Sequence, residues 1–197
     1  MKKLIALICI FALVLACGGR KVKRLDVEEQ VDLSGRWNDT DSRLVSEEMV
    51  SDCLDRNWLT NFLEAEGRKP VVTVGPIRNR STEHIDTETF TTDIERELIN
   101  SGKVKFVASR DQRPELRGER LEQQDFASPE SRKRLRQELG ADYLMLGSVK
   151  TIVDQVEGKA VVFYQTDMEL IDIETNEKVW IGSKKIKKFV EQDNLKW

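Results

Sequence analysis

Apolar residues follow two regimes along this chain, and the change between them marks the first boundary. Leu4 to Ala16 is an unbroken apolar run of thirteen residues behind Met1-Lys2-Lys3. A bilayer-spanning helix needs about 20 residues, so a run this short after a basic start reads as the core of an export signal. Beyond it, apolar residues are spaced rather than continuous. Residues 18–31 hold few of them and read as a polar, flexible tether.

From Ser42 onward the spacing predicts regular elements. Val45, Met49, Cys53, Leu54, Trp58 and Phe62 recur about once per helical turn, predicting a helix capped by Ser42, running to about Glu66 and stopped by Gly67. Residues 70–76 (PVVTVGP) form a β-branched run that reads as a buried strand. Asp86 reads as the N-cap of a second helix, with Ile85 and Phe90 at N′ and N4 as a hydrophobic staple. Phe90, Ile94 and Leu98 line its inner face, Ser101-Gly102 ends it, and residues 103–107 follow as a strand. Residues 109–127 are charged, carry Pro114 and Gly118, and read as an exposed excursion. Ser128-Pro129 signals another helix start, with Leu135 and Leu139 facing inward and Gly140 closing it. Residues 142–153, 160–173 and 178–190 are β-rich and separated by short turns, the spacing of an antiparallel meander. The lysines of the last segment suit an exposed edge strand. The order tail–α–β–α–β–α–β–β–β predicts an α/β (α+β) fold. It is a single domain with a mixed β-sheet of four to five strands flanked by three to four helices.

The end of the export run is informative. Val14-Leu15-Ala16-Cys17 resembles a bacterial lipobox. That resemblance implies cleavage before Cys17 and acylation of Cys17, and three acyl chains exceed the two signals that stable anchoring needs. Gly18, in place of Asp, implies outer-membrane sorting by the enterobacterial pattern. The expected organisation is a signal peptide at 1–16, a lipidated tether at 17–31 and a globular domain at 32–197. Cys9 leaves with the signal, so Cys53 stands alone and has no internal disulfide partner. Its place in a helical apolar pattern reads as a small buried hydrophobe.

Charge narrows the function. Losing Lys2 and Lys3 with the signal takes the formal charge from −3 to −5. An acidic exported chain is a poor nucleic-acid binder. Its basic runs at 132–136 and 184–188 lie within acid-rich sequence and read as solvated faces. Ser81, Glu83, His84 and Asp86 fall within six residues, and His84 is the only histidine. A Ser/His/acid triad needs groups that converge in space on an oxyanion hole, and capping already accounts for Asp86. We therefore expect no catalytic residue, no metal and no cofactor. The exposed polar residues Arg78, Asn79, Arg80, Glu83 and His84 are the candidate partner surface. Trp37 has two readings: a partner anchor, since Trp is enriched at hot spots, or a pin holding the N-terminal segment to the domain. With the second reading, Arg36, Asn38 and Asp41 are turn and capping residues.

Four blocks occur in one family's order: residues 32–42 (DLSGRWNDTDS), 77–87 (IRNRSTEHIDT), 140–148 (GADYLMLGS) and 170–180 (LIDIETNEKVW). They resemble the LpoB-type activators of penicillin-binding proteins, from about Leu33 to Phe189. The implied fold is related to the N-terminal domain of TolB and to CsgG. The implied function is not enzymatic. Members are outer-membrane lipoproteins that reach across the periplasm, dock on an accessory domain of a bifunctional class A penicillin-binding protein and stimulate it. A monomer facing the periplasm is expected. The tether departs from the family, because only about 14 residues separate Cys17 from the Asp32 block. That spans about 50 Å at full stretch. A short tether leaves a second reading open, a structural lipoprotein of an envelope assembly such as an export channel or flagellar accessory.

Overall fold

The computed structural model describes residues 22–27, 29–128, 131 and 138–191. The export run, Cys17 and most of the helix expected after Ser128, Leu135 included, lie outside these residues. The chain divides into a unit of residues 1–30 and a unit of residues 31–197. In the first, the described residues are exposed and without helix or strand.

The second unit begins with helix α1 (Asp39–Leu54). The sequence places its cap at Ser42, but Asn38, four residues earlier, is the cap. Asn38 Oδ1 accepts from the Asp41 amide at 3.1 Å and Asp41 Oδ2 accepts from the Asn38 amide at 3.0 Å, a reciprocal box that satisfies two otherwise unpaired donors. Ser42 instead donates to Asp93 Oδ2 at 2.8 Å. The single helix expected to reach Glu66 is also interrupted. Asp55 ends α1, Arg56 is extended, and α2 (Asn57–Glu66) starts afresh, with Gly67 closing it at φ 63° as expected. Across the break the Trp58 indole donates to the Cys53 carbonyl at 2.7 Å, and Trp58 and Phe62 meet the Tyr143 ring edge-on at 5.0 and 5.6 Å.

Strand β1 (Val71–Arg80) continues past Pro76, where the sequence suggests an end. A register shift between Val74 and Ile77 absorbs the proline, which has no N–H to give a ladder. Helix α3 (Thr87–Asn100) follows, with Ile85 and Phe90 both buried at its start and Phe90, Ile94 and Leu98 at the core. The expected strand at 103–107 shrinks to β2 (Lys105–Phe106). The expected excursion at 109–127 contains helix α4 (Arg113–Phe126). Pro114 sits in its first turn, where a missing N–H costs nothing. No residue of α4 is buried, so apolar spacing carries no signal for it. Leu139 is 56% exposed and does not face inward.

Strands β3 (Tyr143–Val156), β4 (Lys159–Asp172) and β5 (Lys178–Glu191) form the expected antiparallel meander. The sheet order is β2-β1-β3-β4-β5, with β1 parallel to β2 and β3, so β5 is an edge. The fold is α+β, a mixed five-stranded sheet with four described helices. Even-numbered residues of β4 from Ala160 to Leu170 are buried, and α1 packs against β5 and α3. Three polar contacts join α1 to β5: Trp180 Nε1 donates to Asp52 at 2.8 Å, Lys184 pairs with Glu48, and Lys188 pairs with Asp41 at 2.6 Å. These two lysines of the edge strand therefore face a helix, not the solvent beside the edge.

At the start of β1, Arg68 grips Asp142 with two nitrogens at 2.7 and 2.8 Å, and Asp142 also accepts from the Val71 amide at 2.7 Å. The Arg68 hydrogen bonds hold the Asp142 carboxyl below its ordinary range, against the opposing pull of burial. Its contribution to stability is thus complete at neutral pH and fades as the pH falls through that lowered value. Asp142→Asn should lower the thermal midpoint at pH 7, and the gap to the parent should narrow below about pH 4. A gap that stays constant across that range would contradict this assignment. Burial also pushes the Cys53 thiol up to about 12. Cys53 should resist thiol-specific reagents at pH 8 in the native protein and react once urea unfolds it, and rapid native labelling would contradict its burial.

Candidate functional site

The last residues of β1 divide the candidate surface between two sides of the sheet. Asn79 is in register with fully buried Val149, so it lies on the helix-covered side. Arg78 and Arg80 are in register with Ser148 and Lys150 and point to the open side. There they line a groove of about 470 Å³ with Leu146, Ser148, Lys150 and Glu169. Lys150 is paired with Asp167 at 2.8 Å.

Between β1 and α3 the loop is ordered by its own side chains. Asn79 Nδ2 donates to the Glu83 carbonyl at 2.8 Å, and Asn79 Oδ1 accepts from the Ser81 amide at 2.9 Å and the Ser81 hydroxyl at 2.6 Å. The Ser81 oxygen accepts from the Glu83 amide at 3.1 Å. Asp86 caps α3 as expected, accepting from the Glu88 and Thr89 amides at 3.0 and 3.3 Å. Those amides, Thr89 first, hold its carboxyl below the ordinary range. The Ser81 hydroxyl is thus committed to Asn79, and His84 is exposed.

Glu83 turns inward. Its Oε1 accepts from the Tyr164 hydroxyl at 2.6 Å and its Oε2 from the Trp37 amide at 3.2 Å. Tyr164 is fully buried; burial and then the Glu83 carboxylate push its hydroxyl far above the ordinary phenol range, so it remains a donor. The Gly35 carbonyl lies 3.2 Å from the same hydroxyl. The Trp37 ring packs edge-on against Phe90 at 5.8 Å and Tyr164 at 5.6 Å. Trp37 therefore pins the N-terminal segment to the domain. Of the candidates, the structure joins Glu83 and Trp37 in an inward network that exposed Asn79 meets through the Glu83 carbonyl, sets Arg78 and Arg80 on the open groove, and leaves His84 outward. Cys17 lies outside the described residues.

Tyr164, Lys150 and Lys188 were missed by reading the sequence. They lie tens of residues or more from the loop, and spacing says nothing across that distance. One signal was present: a tyrosine at an inward strand position carries a hydroxyl that needs a partner. Among the described residues, no group of three or more His, Cys, Asp or Glu is placed to hold a metal. No described helix is long and apolar enough to cross a membrane.

The acid and the serine of this loop are thus both committed to partners within the fold. The family model for the peptidoglycan-synthase activator LpoB matches residues 41–186, and the chain belongs to that family. No curated protein matches the chain. Among solved structures, it is similar to the LpoB C-terminal domain from Salmonella enterica, with 20% identity over 66% of this chain and 93% of that one, at a TM-score of 0.39. The LpoB C-terminal domain from Escherichia coli gives 20%, 66% and 93%, at 0.38. Lipoprotein GNA1162 from Neisseria meningitidis gives 15%, 61% and 83%, at 0.40.

Gly35 tests the packing behind the loop. It adopts φ 71°, and a Cβ there would sit 2.2 Å from Val190 Cγ2. Gly35→Ala should cost about 1–3 kcal/mol in urea unfolding, and an unchanged midpoint would contradict the packed position of this segment.

Proposed function

We propose that this protein is an outer-membrane-anchored lipoprotein that binds a bifunctional class A penicillin-binding protein in the periplasm and activates its peptidoglycan synthesis. The observation that carries this reading is the family match over residues 41–186, which runs from α1 into β5 and spans the loop and the groove. The protein is a regulator, not an enzyme, and it acts as a monomer without a cofactor. Acylated Cys17 holds it to lipid, and the tether supplies reach.

The division of the candidate residues suggests how docking works. Arg78 and Arg80 present forked, permanently charged donors suited to carboxylates on a partner. His84 adds an exposed donor or acceptor on the loop that follows. Asn79, Glu83 and Trp37 hold the loop from behind. The open groove across β1, β3 and β4 gives the partner a concave seat next to the arginines.

Mixing the protein with the class A synthases of the same cell and following lipid II polymerisation tests this directly. Faster polymerisation, with binding at micromolar affinity or tighter, is expected. Arg78→Ala with Arg80→Ala should weaken binding by about ten- to a hundredfold and make it less sensitive to salt. No binding to any of these synthases and no stimulation would overturn the proposal.

A further inference from the structure

We propose that residues 31–38, the strap by which the chain enters the folded unit, position the candidate docking loop, and that Glu83 is the joint between the two. This rests on reading the loop from Arg78 to His84 as the docking surface. Both Glu83 carboxylate oxygens are already occupied, one by the sheet through Tyr164 and one by the strap through the Trp37 amide. A carboxylate so committed has little left for a partner, and its own carbonyl accepts from Asn79. Asn79 sits in β1 between Arg78 and Arg80, where pairing with β3 fixes the strand, so what Glu83 holds in place is the loop that leaves Arg80.

The strap is fastened from its other side as well. Lys188 of β5 reaches Asp32 Oδ1 at 2.6 Å, Asp41 Oδ2 at 2.6 Å and the Arg36 carbonyl at 3.1 Å, with its side chain only 9% exposed. Asn38 Nδ2 donates to Asp32 Oδ1 at 2.8 Å and to the Val31 carbonyl at 3.4 Å. Gly35 lies buried against Val190. Between these ends, Trp37 presses on Phe90, the first core residue of α3, and on Tyr164. A displacement of the strap must therefore move Trp37, then Glu83, then the loop.

Full-length protein carries the test. Tyr164→Phe removes one hydroxyl and keeps the ring. Lys188→Met combined with Asp41→Asn frees the strap on its β5 side, without touching a loop residue and without stranding a buried charge. Arg80→Ala probes docking alone, and thermal melting shows that each variant is folded. Hydrogen exchange at the Ser81 and Glu83 amides and affinity for the class A synthase are the readouts. Both strap variants should speed that exchange and weaken binding about tenfold. Glu83→Gln should add little to Tyr164→Phe, since the two residues act as one unit. Unchanged exchange in the Lys188→Met, Asp41→Asn variant would overturn the coupling, and a full additive loss from Glu83→Gln would make Glu83 a direct contact. Faster exchange with binding unaffected by the strap variants and by Arg80→Ala would uphold the coupling and overturn the docking reading.

Discussion

A hydroxyl buried in the middle of a sheet needs an acceptor, and leaving it without one costs about 1–3 kcal/mol. Tyr164 places that demand at the centre of the helix-covered face, and Glu83 answers it from a loop 81 residues away in sequence. Much else follows from that bond. To reach the hydroxyl, Glu83 must fold inward, which lets Asn79 and Ser81 close the loop beneath it. Its second oxygen then captures the Trp37 amide, and the N-terminal segment is drawn across the core. The arginines on either side of Asn79 face the open side, beside Lys150 and Glu169.

The same segment meets a second polar system between α1 and β5. Asp41, Glu48 and Asp52 face Lys188, Lys184 and the Trp180 indole in turn along the strand. Burial raises the Asp41 carboxyl above its ordinary range even with Lys188 beside it, since desolvation outweighs the ion pair there. This contact therefore gives register more than stability: it fixes which turn of α1 lies over which residue of β5. The Thr166 hydroxyl, in register with Lys184, is the buried side-chain polar atom without a partner among the described residues.

What could be read in the sequence is what local periodicity encodes. The Asp86 cap, the Ile85–Phe90 staple, the Phe90-Ile94-Leu98 face and the three-strand meander all rest on neighbours within a few residues. The misses have equally specific causes. Ser42 and Asn38 are both good caps, and the reciprocal partner at Asp41 decides for Asn38. Pro76 looks like a strand end until a bulge accommodates it. Helix α4 buries none of its residues, so its apolar spacing had nothing to report. Of the candidate surface, the residues were legible but their directions were not. The alternation of β1 sends Arg78 and Arg80 one way and Asn79 the other, and only the register with β3 reveals it.

Membership of the LpoB family gives the class of function, and the surface proposed for it is the outward part of the loop with the adjoining groove. The most direct measurement is interface mapping by nuclear magnetic resonance, adding the accessory domain of a cognate class A synthase to the isotope-labelled protein. The account predicts that amide shifts concentrate at residues 78–84 and across the groove at Ser148 and Lys150. Shifts confined to α1 and α2, or none at saturating partner, would contradict it.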